Sequence, residues 1–195
     1  HYAAQFQLLL VGAMEFPVFR LEAPAVHYTE HNVPYGPFIV SGGHDMLVLH
    51  TKPGGLAMMR NRKRRWKANV RGREFTRCAH EVAWQPMPDC ATARRKVLIP
   101  ASFGPSAELI EFPAGVEFTP PVPEYGRYEV VYTGSASIAG QSLGPKGLRF
   151  IAAGEQAVPL KAGPEGMSMI FLTFDQDSVH SDQGSTEDAI ARMEK

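Results

Sequence analysis

ELIEFPAG (residues 108–115), TPPVPEYG (119–126), RYEVVYTGSASIAGQSLGPKGLRFIAAGEQAVPLKAG (127–163) and GMSMIFLTF (166–174) make up the stretch that decides the fold. Short apolar or alternating runs are cut by Gly, Pro and Ser clusters about every 8–12 residues. That is the pattern of short antiparallel strands closing into a sandwich or barrel. In RYEVVYT a two-residue period puts Tyr128, Val130 and Tyr132 on one face and Arg127, Glu129 and Val131 on the other. Periodicity alone leaves open which face is inside. SASIAGQSL reads as a Gly-bounded hairpin, and GMSMIFLTF, apolar on both faces, reads as a buried strand.

Several of these residues carry a family likeness. Gly115 opens a turn, V-Y-T-G at 131–134 stands where a family pattern has V-L-x-G, and a short hairpin strand follows at Ala136 to Ile138. G-L-R-F-I-A-A-G at 147–154 stands where that family has G-D-x-x-x-x-P-x-G. Over residues 98–175 the chain resembles a cupin domain, the small double-stranded β-helix barrel also called RmlC-like. The resemblance implies a jelly-roll barrel with a divalent metal held by two His and a Glu of the first motif and a His of the second. Those positions fall here on Pro121, Pro123 and Arg127, and on or beside Ala157. Pro and Ala carry no side-chain donor and Arg keeps its proton, so none ligates a metal. No His occurs between His80 and His180, and Glu124 and Glu129 alone make a poor transition-metal site. The expectation is an all-β, cupin-like jelly roll with extra N-terminal strands, a short C-terminal helix and no metal in the barrel.

The rest of the chain adds boundaries. With 195 residues, 44% hydrophobic and 21% charged at zero formal net charge, the composition is that of a globular domain with ample core. Cys78 and Cys90 match no zinc spacing and read as two reduced, intracellular thiols, hence a cytoplasmic expectation. Residues 1–13 read as a processed or extra segment, with Met14 as a possible start; alternatively 4–12 form an edge strand or a swapped arm. Residues 14–97 are expected to add strands to the barrel, or to form a degenerate first half of a two-barrel arrangement. Residues 98–175 form the barrel core, and 176–195 a linker and short helix opened by Ser185. No apolar run is long enough to span a membrane.

In the N-terminal part, Val18–Leu21 and Ala25–Tyr28 read as short strands, and HYTEH (His27 to His31) as a polar loop rather than a metal-binding helix. Residues 37–55 suggest a hairpin turning at Ser41-Gly42-Gly43, with Asp45–His50 as its second strand and His44 and His50 on one face. Residues 60–77 hold nine of the 20 basic residues and one acid, Glu74. They read as a solvated strand around Trp66, as a partner for the acidic remainder of the chain or of a dimer, or as a phosphate-binding run. Zero net charge argues against a nucleic-acid partner.

G-x-S-x-G and phosphate-binding Gly loops are absent. The favoured function is a metal-free, cupin-like protein binding a small anionic or sugar-like molecule, as a homodimer without membrane or cofactor. Arg127, Tyr125, Tyr128 and Tyr132 are the ligand-binding candidates, with Arg127 gripping a carboxylate or phosphate. The alternative is an enzyme. It is either a metal-free isomerase or lyase using Tyr125, Tyr128 and Glu129 as acid and base, or a dioxygenase with a relocated Fe, Zn, Ni or Mn. Its relocated ligands would come from His44, His50 and His80, with His27 and His31 in reserve.

Overall fold

Alternation and Gly punctuation in the sequence give strands throughout. The computed structural model describes residues 3–31, 33–40, 42–51 and 72–180. Among them are fifteen strands and one five-residue α-helix, so the expected all-β class holds. The chain divides into two units, residues 1–77 with 176–195, and residues 78–175. Cys78 and Cys90 are not joined in a disulfide. Among the described residues no helix is long and apolar enough to cross a membrane.

In the second unit the sheet is ordered β13-β12-β15-β10-β9-β8. These are β8 (Gln85–Met87), β9 (Cys90–Ile99), β10 (Ser106–Phe112), β12 (Arg127–Ile138), β13 (Gln141–Leu143) and β15 (Leu160–Thr173). β11 (Glu117–Phe118) adds to β15, and β14 (Leu148–Ile151) to β12. β12 and β15 form one long antiparallel ribbon from Arg127↔Thr173 to Ile138↔Leu160. Its two ends have different outer neighbours: β14 and β10 at one end, β13 and β11 at the other. Irregularities at Val131/Thr133 and Gly134/Ala136 bend the ribbon between them, as bulges do. At the bend Gly134 has φ +74°, and a Cβ there would collide with the Gly166 carbonyl oxygen. The bend wraps the sheet around a core containing Val131, Ala136, Met169, Phe171, Ile110, Phe112, Phe118 and Leu160. Val131 and Phe171 in that core put the Arg127–Glu129–Val131 face inside. The SASIAGQSL hairpin forms as read, with Ala139 and Gly140 at positive φ between Ile138 and its partner Gln141.

In the first unit a four-stranded sheet runs β6-β1-β4-β7. It comprises β1 (Gln5–Val11), β4 (Ala25–Thr29), β6 (Asp45–His50) and β7 (Glu74–Cys78). A three-stranded sheet runs β3-β2-β5, with β2 (Ala13–Glu15), β3 (Arg20–Glu22) and β5 (Ile39–Val40). Four expectations change here. β1 is an interior strand, not an edge, because β4 pairs with one side of it and β6 with the other. β5 and β6 do not pair with each other as the expected hairpin: β5 pairs with β2 and β6 with β1. Gly12, between β1 and β2, lets the chain pass so close to Gly43 that a Cβ would lie 2.6 Å from its carbonyl oxygen. The strand expected at Val18 starts at Arg20, because Pro17 lies in a turn closed by Phe16 N–H donating to the Phe19 carbonyl, and Val18 is exposed. Finally, 176–180 is helix (α1, Gln176–His180) rather than linker, with the Ser178 hydroxyl buried against the Tyr28 hydroxyl at 2.7 Å. The expected helix after Ser185 and most of the basic run, including Trp66, lie outside the described residues.

Gly134→Ala is expected to lower stability by about 2 kcal/mol or more, adding a backbone collision to the strain of positive φ. Gly154→Ala, at φ +72° with open space around it, is expected to cost about 1 kcal/mol. Urea midpoints of the two variants measure the difference.

Candidate functional site

β-strand alternation sorts the four-stranded sheet of the first unit into two unlike faces. Phe6, Leu8, Val26, Tyr28 and Leu49 share one face by register. The other carries Gln5 opposite Thr29 and His50, and Gln7 opposite His27. Glu74 and Thr76 of β7 join it, since the His27 ring contacts both side chains. On β1 and β4 this polar face is not solvated, with Gln5 and His27 0% exposed, Thr29 1% and Gln7 4%, whereas Glu74 of β7 is exposed.

Tyr35 organises part of the face. Gln5 Nε2 and Gln7 Nε2 donate to its hydroxyl at 2.8 and 2.6 Å, and its ring meets His27 edge-on at 5.3 Å. Phe16 and Phe19 stack on each other and lie against the His27 ring. His27 Nδ1 sits 2.9 Å from Thr76 Oγ1. Burial pulls His27 down to about 4, so the ring is neutral near pH 7. Its Nε2, 3.7 Å from Glu74 Oε1, is therefore a polar neighbour and not an ion-pair partner. Burial pushes the Glu74 carboxyl up, and the Tyr35 hydroxyl up against the opposing pull of the two glutamine donors. Gln5 Oε1, Gln7 Oε1, His27 Nε2 and Thr29 Oγ1 are buried without a hydrogen-bond partner among the described residues. Buried polar atoms in folded proteins are nearly always paired with protein, water or ligand, so four on one face mark a site.

In the second unit the buried charges pair, while Arg95 Nε, Arg127 Nη2 and Arg149 Nη2 have no hydrogen-bond partner among the described residues. Arg149, Glu129, Phe171 and Glu108 form one row across four strands. The fully buried Glu129 takes Arg127 Nε at 2.9 Å on Oε1 and Arg149 Nε at 2.6 Å on Oε2. The Arg127 and Arg149 Nη2 atoms lie within ion-pair distance of the same carboxylate but make no aligned hydrogen bond to it. Arg127 Nη1 donates to the Pro121 carbonyl, Arg149 Nη1 to that of Val158, and the Arg127 guanidinium lies over the Phe171 ring. Burial lowers the Arg127 pKa, and the Glu129 carboxylate opposes that shift.

The sequence candidates distribute as follows. Arg127 and Glu129 are together, engaged with each other. Tyr128 lies on the opposite strand face, packed on Phe150 and Phe174, with its hydroxyl pushed up by burial, as is that of Tyr132. Tyr125 is half-buried in the loop before β12. His44 is exposed just ahead of β6, and His50 ends β6 on the polar face. His27 lies in β4, as the strand reading of Ala25–Tyr28 had it, and the part of HYTEH that is not strand begins at Glu30. The side chains at the family's four metal positions do not fit an ion: Pro121 and Pro123 have no donor, Arg127 is bound to Glu129, and Ala157 is a buried methyl. Among the described residues the single group of three potential ligands is Cys78, His80 and Glu81, which includes neither His44 nor His50. The polar face was missed because QFQLLLV reads as an apolar run. Its signal was the recurrence of polar residues two apart, at Gln5/Gln7, His27/Thr29 and Glu74/Thr76.

No family model matches the chain, and no curated protein matches it by sequence. Solved structures do match. A candidate dioxygenase from Nostoc punctiforme superposes with a TM-score of 0.63 at 13% identity, over 90% of this chain and 63% of its own. Protein Ylba from E. coli, of family model DUF861, superposes with a TM-score of 0.53 at 12% identity, over 91% of this chain and 69% of its own. An RmlC-like cupin from Ralstonia eutropha overlaps 49% of this chain and 65% of its own at 17% identity, and its TM-score of 0.43 carries no argument. The fold is thus cupin-like. The chain spans 63% of the length of the Nostoc protein, and at these identities the likeness extends to fold alone.

Two outcomes test the electrostatics. Glu129→Gln leaves two buried guanidinium groups without a counter-charge and is expected to cost about 3–5 kcal/mol in urea unfolding. A histidine whose pKa falls on folding takes up its proton first in the unfolded chain. His27 therefore subtracts stability as pH falls from about 6.5 towards 4, by up to about 3 kcal/mol, with the raised Glu74 working in the opposite sense. Urea midpoints between pH 7 and pH 4.5 are expected to flatten in His27→Gln.

Proposed function

We propose that this is a small-molecule-binding protein of cupin-like fold, whose ligand is a neutral, hydroxyl-rich molecule held on the polar face of the first unit. The observation that carries the reading is the set of buried, unpartnered atoms on Gln5, Gln7, His27 and Thr29. Two are amide oxygens, which accept hydrogen bonds, and hydroxyl groups of a sugar or polyol donate them. Leu9 and Ala25 share the face and offer an apolar surface to ligand C–H groups. Charge favours the neutral member of the expected pair: His27 is uncharged, and burial works against ionisation of Glu74. An anion would meet no fixed cation among these side chains. Arg127, the cation first considered for that role, is engaged by Glu129, which it shares with Arg149.

One observation supports an enzymatic second reading. A neutral imidazole 3.7 Å from a carboxyl whose pKa is raised is a pair able to exchange a proton with a bound hydroxyl.

A thermal-shift panel of neutral polyols and monosaccharides against carboxylates and phosphates tests the binding. A neutral hydroxylated compound is expected to raise Tm, and Gln7→Leu to weaken its binding at least about tenfold, the loss from unpairing buried polar partners. Stabilisation by anions only, abolished in Arg127→Met, would move the site to the second unit.

A further inference from the structure

We propose that Cys78, His80 and Glu81 form a binding site for a borderline transition-metal dication, Zn²⁺ fitting best, outside the barrel and independent of the ligand proposed above. The sequence C-A-H-E places a thiol, an imidazole and a carboxyl within four residues. Cys78 ends β7, and Ala79–Glu81 form one 3₁₀ turn, in which side chains three apart lie over each other. The sulfur, a ring nitrogen and a carboxylate oxygen all lie within 4.8 Å of one another.

Three contacts hold the turn. Glu81 Oε2 accepts the Cys78 N–H at 3.1 Å, Val82 N–H donates to the Ala79 carbonyl, and Lys96 Nζ donates to the same carbonyl at 2.7 Å. Cys78 is buried, while His80 and Glu81 are exposed. With Zn–S near ~2.3 Å and Zn–N and Zn–O near ~2.0–2.2 Å, tetrahedral donors stand about 3.3–3.6 Å apart. The two exposed side chains therefore need to close by little more than about 1 Å. A carboxylate has two oxygens, so capping the Cys78 N–H through one is compatible with ligation through the other.

The donor set selects the ion. Thiolate and imidazole disfavour Mg²⁺ and Ca²⁺, and a mixed S, N, O set suits Zn²⁺ and its neighbours in the first transition row. Three protein donors leave a fourth position for water. Binding takes the proton off the thiol, so one proton is released per ion when the thiol starts protonated. If instead Cys78 is only a buried thiol, Glu81 only a turn cap and His80 only a solvated ring, none of the three responds to metal.

The test uses the full chain with Co²⁺ for spectroscopy and Zn²⁺ in competition with a chromophoric chelator. Wild type and Cys90→Ser are expected to show a thiolate-to-cobalt charge-transfer band saturating at one ion per chain, and Cys78→Ser to lack it. His80→Ala, at an exposed position, is expected to keep the fold and weaken Zn²⁺ at least about tenfold. Absence of the band in wild type, its survival in Cys78→Ser, or a weakening by His80→Ala smaller than that overturns the site. If Cys78→Ser fails to fold, the Zn²⁺ affinity of His80→Ala decides.

Discussion

At the bend of the long β12–β15 ribbon, Gly134 lies against the backbone of Gly166, and Gly166 in turn lies close to Phe112, whose carbonyl oxygen would be 2.8 Å from a Cβ there. Three backbone segments meet with no side chain between them. The bend turns a single sheet into the two walls of a barrel. One end of the ribbon carries β14 and β10, the other β13 and β11, and the core fills the space between. A straight ribbon would leave Met169, Phe171, Phe118 and Leu160 on an open face, with the loss of their burial free energy.

The direction of the bend also fixes the charges. Because the Arg127–Glu129–Val131 face turns inward, Glu129 loses water completely, and its carboxylate is tolerated there only with a guanidinium on each oxygen. Both oxygens of the buried carboxylate are thereby taken by arginines. The first unit treats polar groups differently. Its four-stranded sheet buries Gln5, Gln7, His27 and Thr29 with fewer partners than they have bonding positions, and keeps them uncharged. Such groups cost stability when left unmet, and a binding surface is where that cost is offset by a ligand.

Legibility in the sequence followed the range of the interaction. Strand character at 127–133 and 166–174, the hairpin at Ala139-Gly140 and the alternation of Arg127 and Glu129 against Tyr128 and Val130 were readable, since side-chain period and turn chemistry act within a few residues. The pairing of β5 with β2 instead of β6 was not, because Gly42 and Gly43 permit a tight hairpin and a crossover alike. The Arg127–Glu129–Arg149 cluster was half visible: the first two residues share a strand, while Arg149 arrives through the β14 pairing.

By itself, then, the sequence determined an all-β chain of short strands, the sites of its turns, and which residues share a strand face, all consequences of backbone geometry local to each segment. Only the tertiary structure decided which face of β12 is inside, that Arg127 and Arg149 share Glu129, and that Gln5, Gln7, His27 and Thr29 from two strands stand together, with Tyr35 on the two glutamines. Those depend on register and bend between segments distant in the chain, where the free energy is set by mutual burial and not by any one residue's preference.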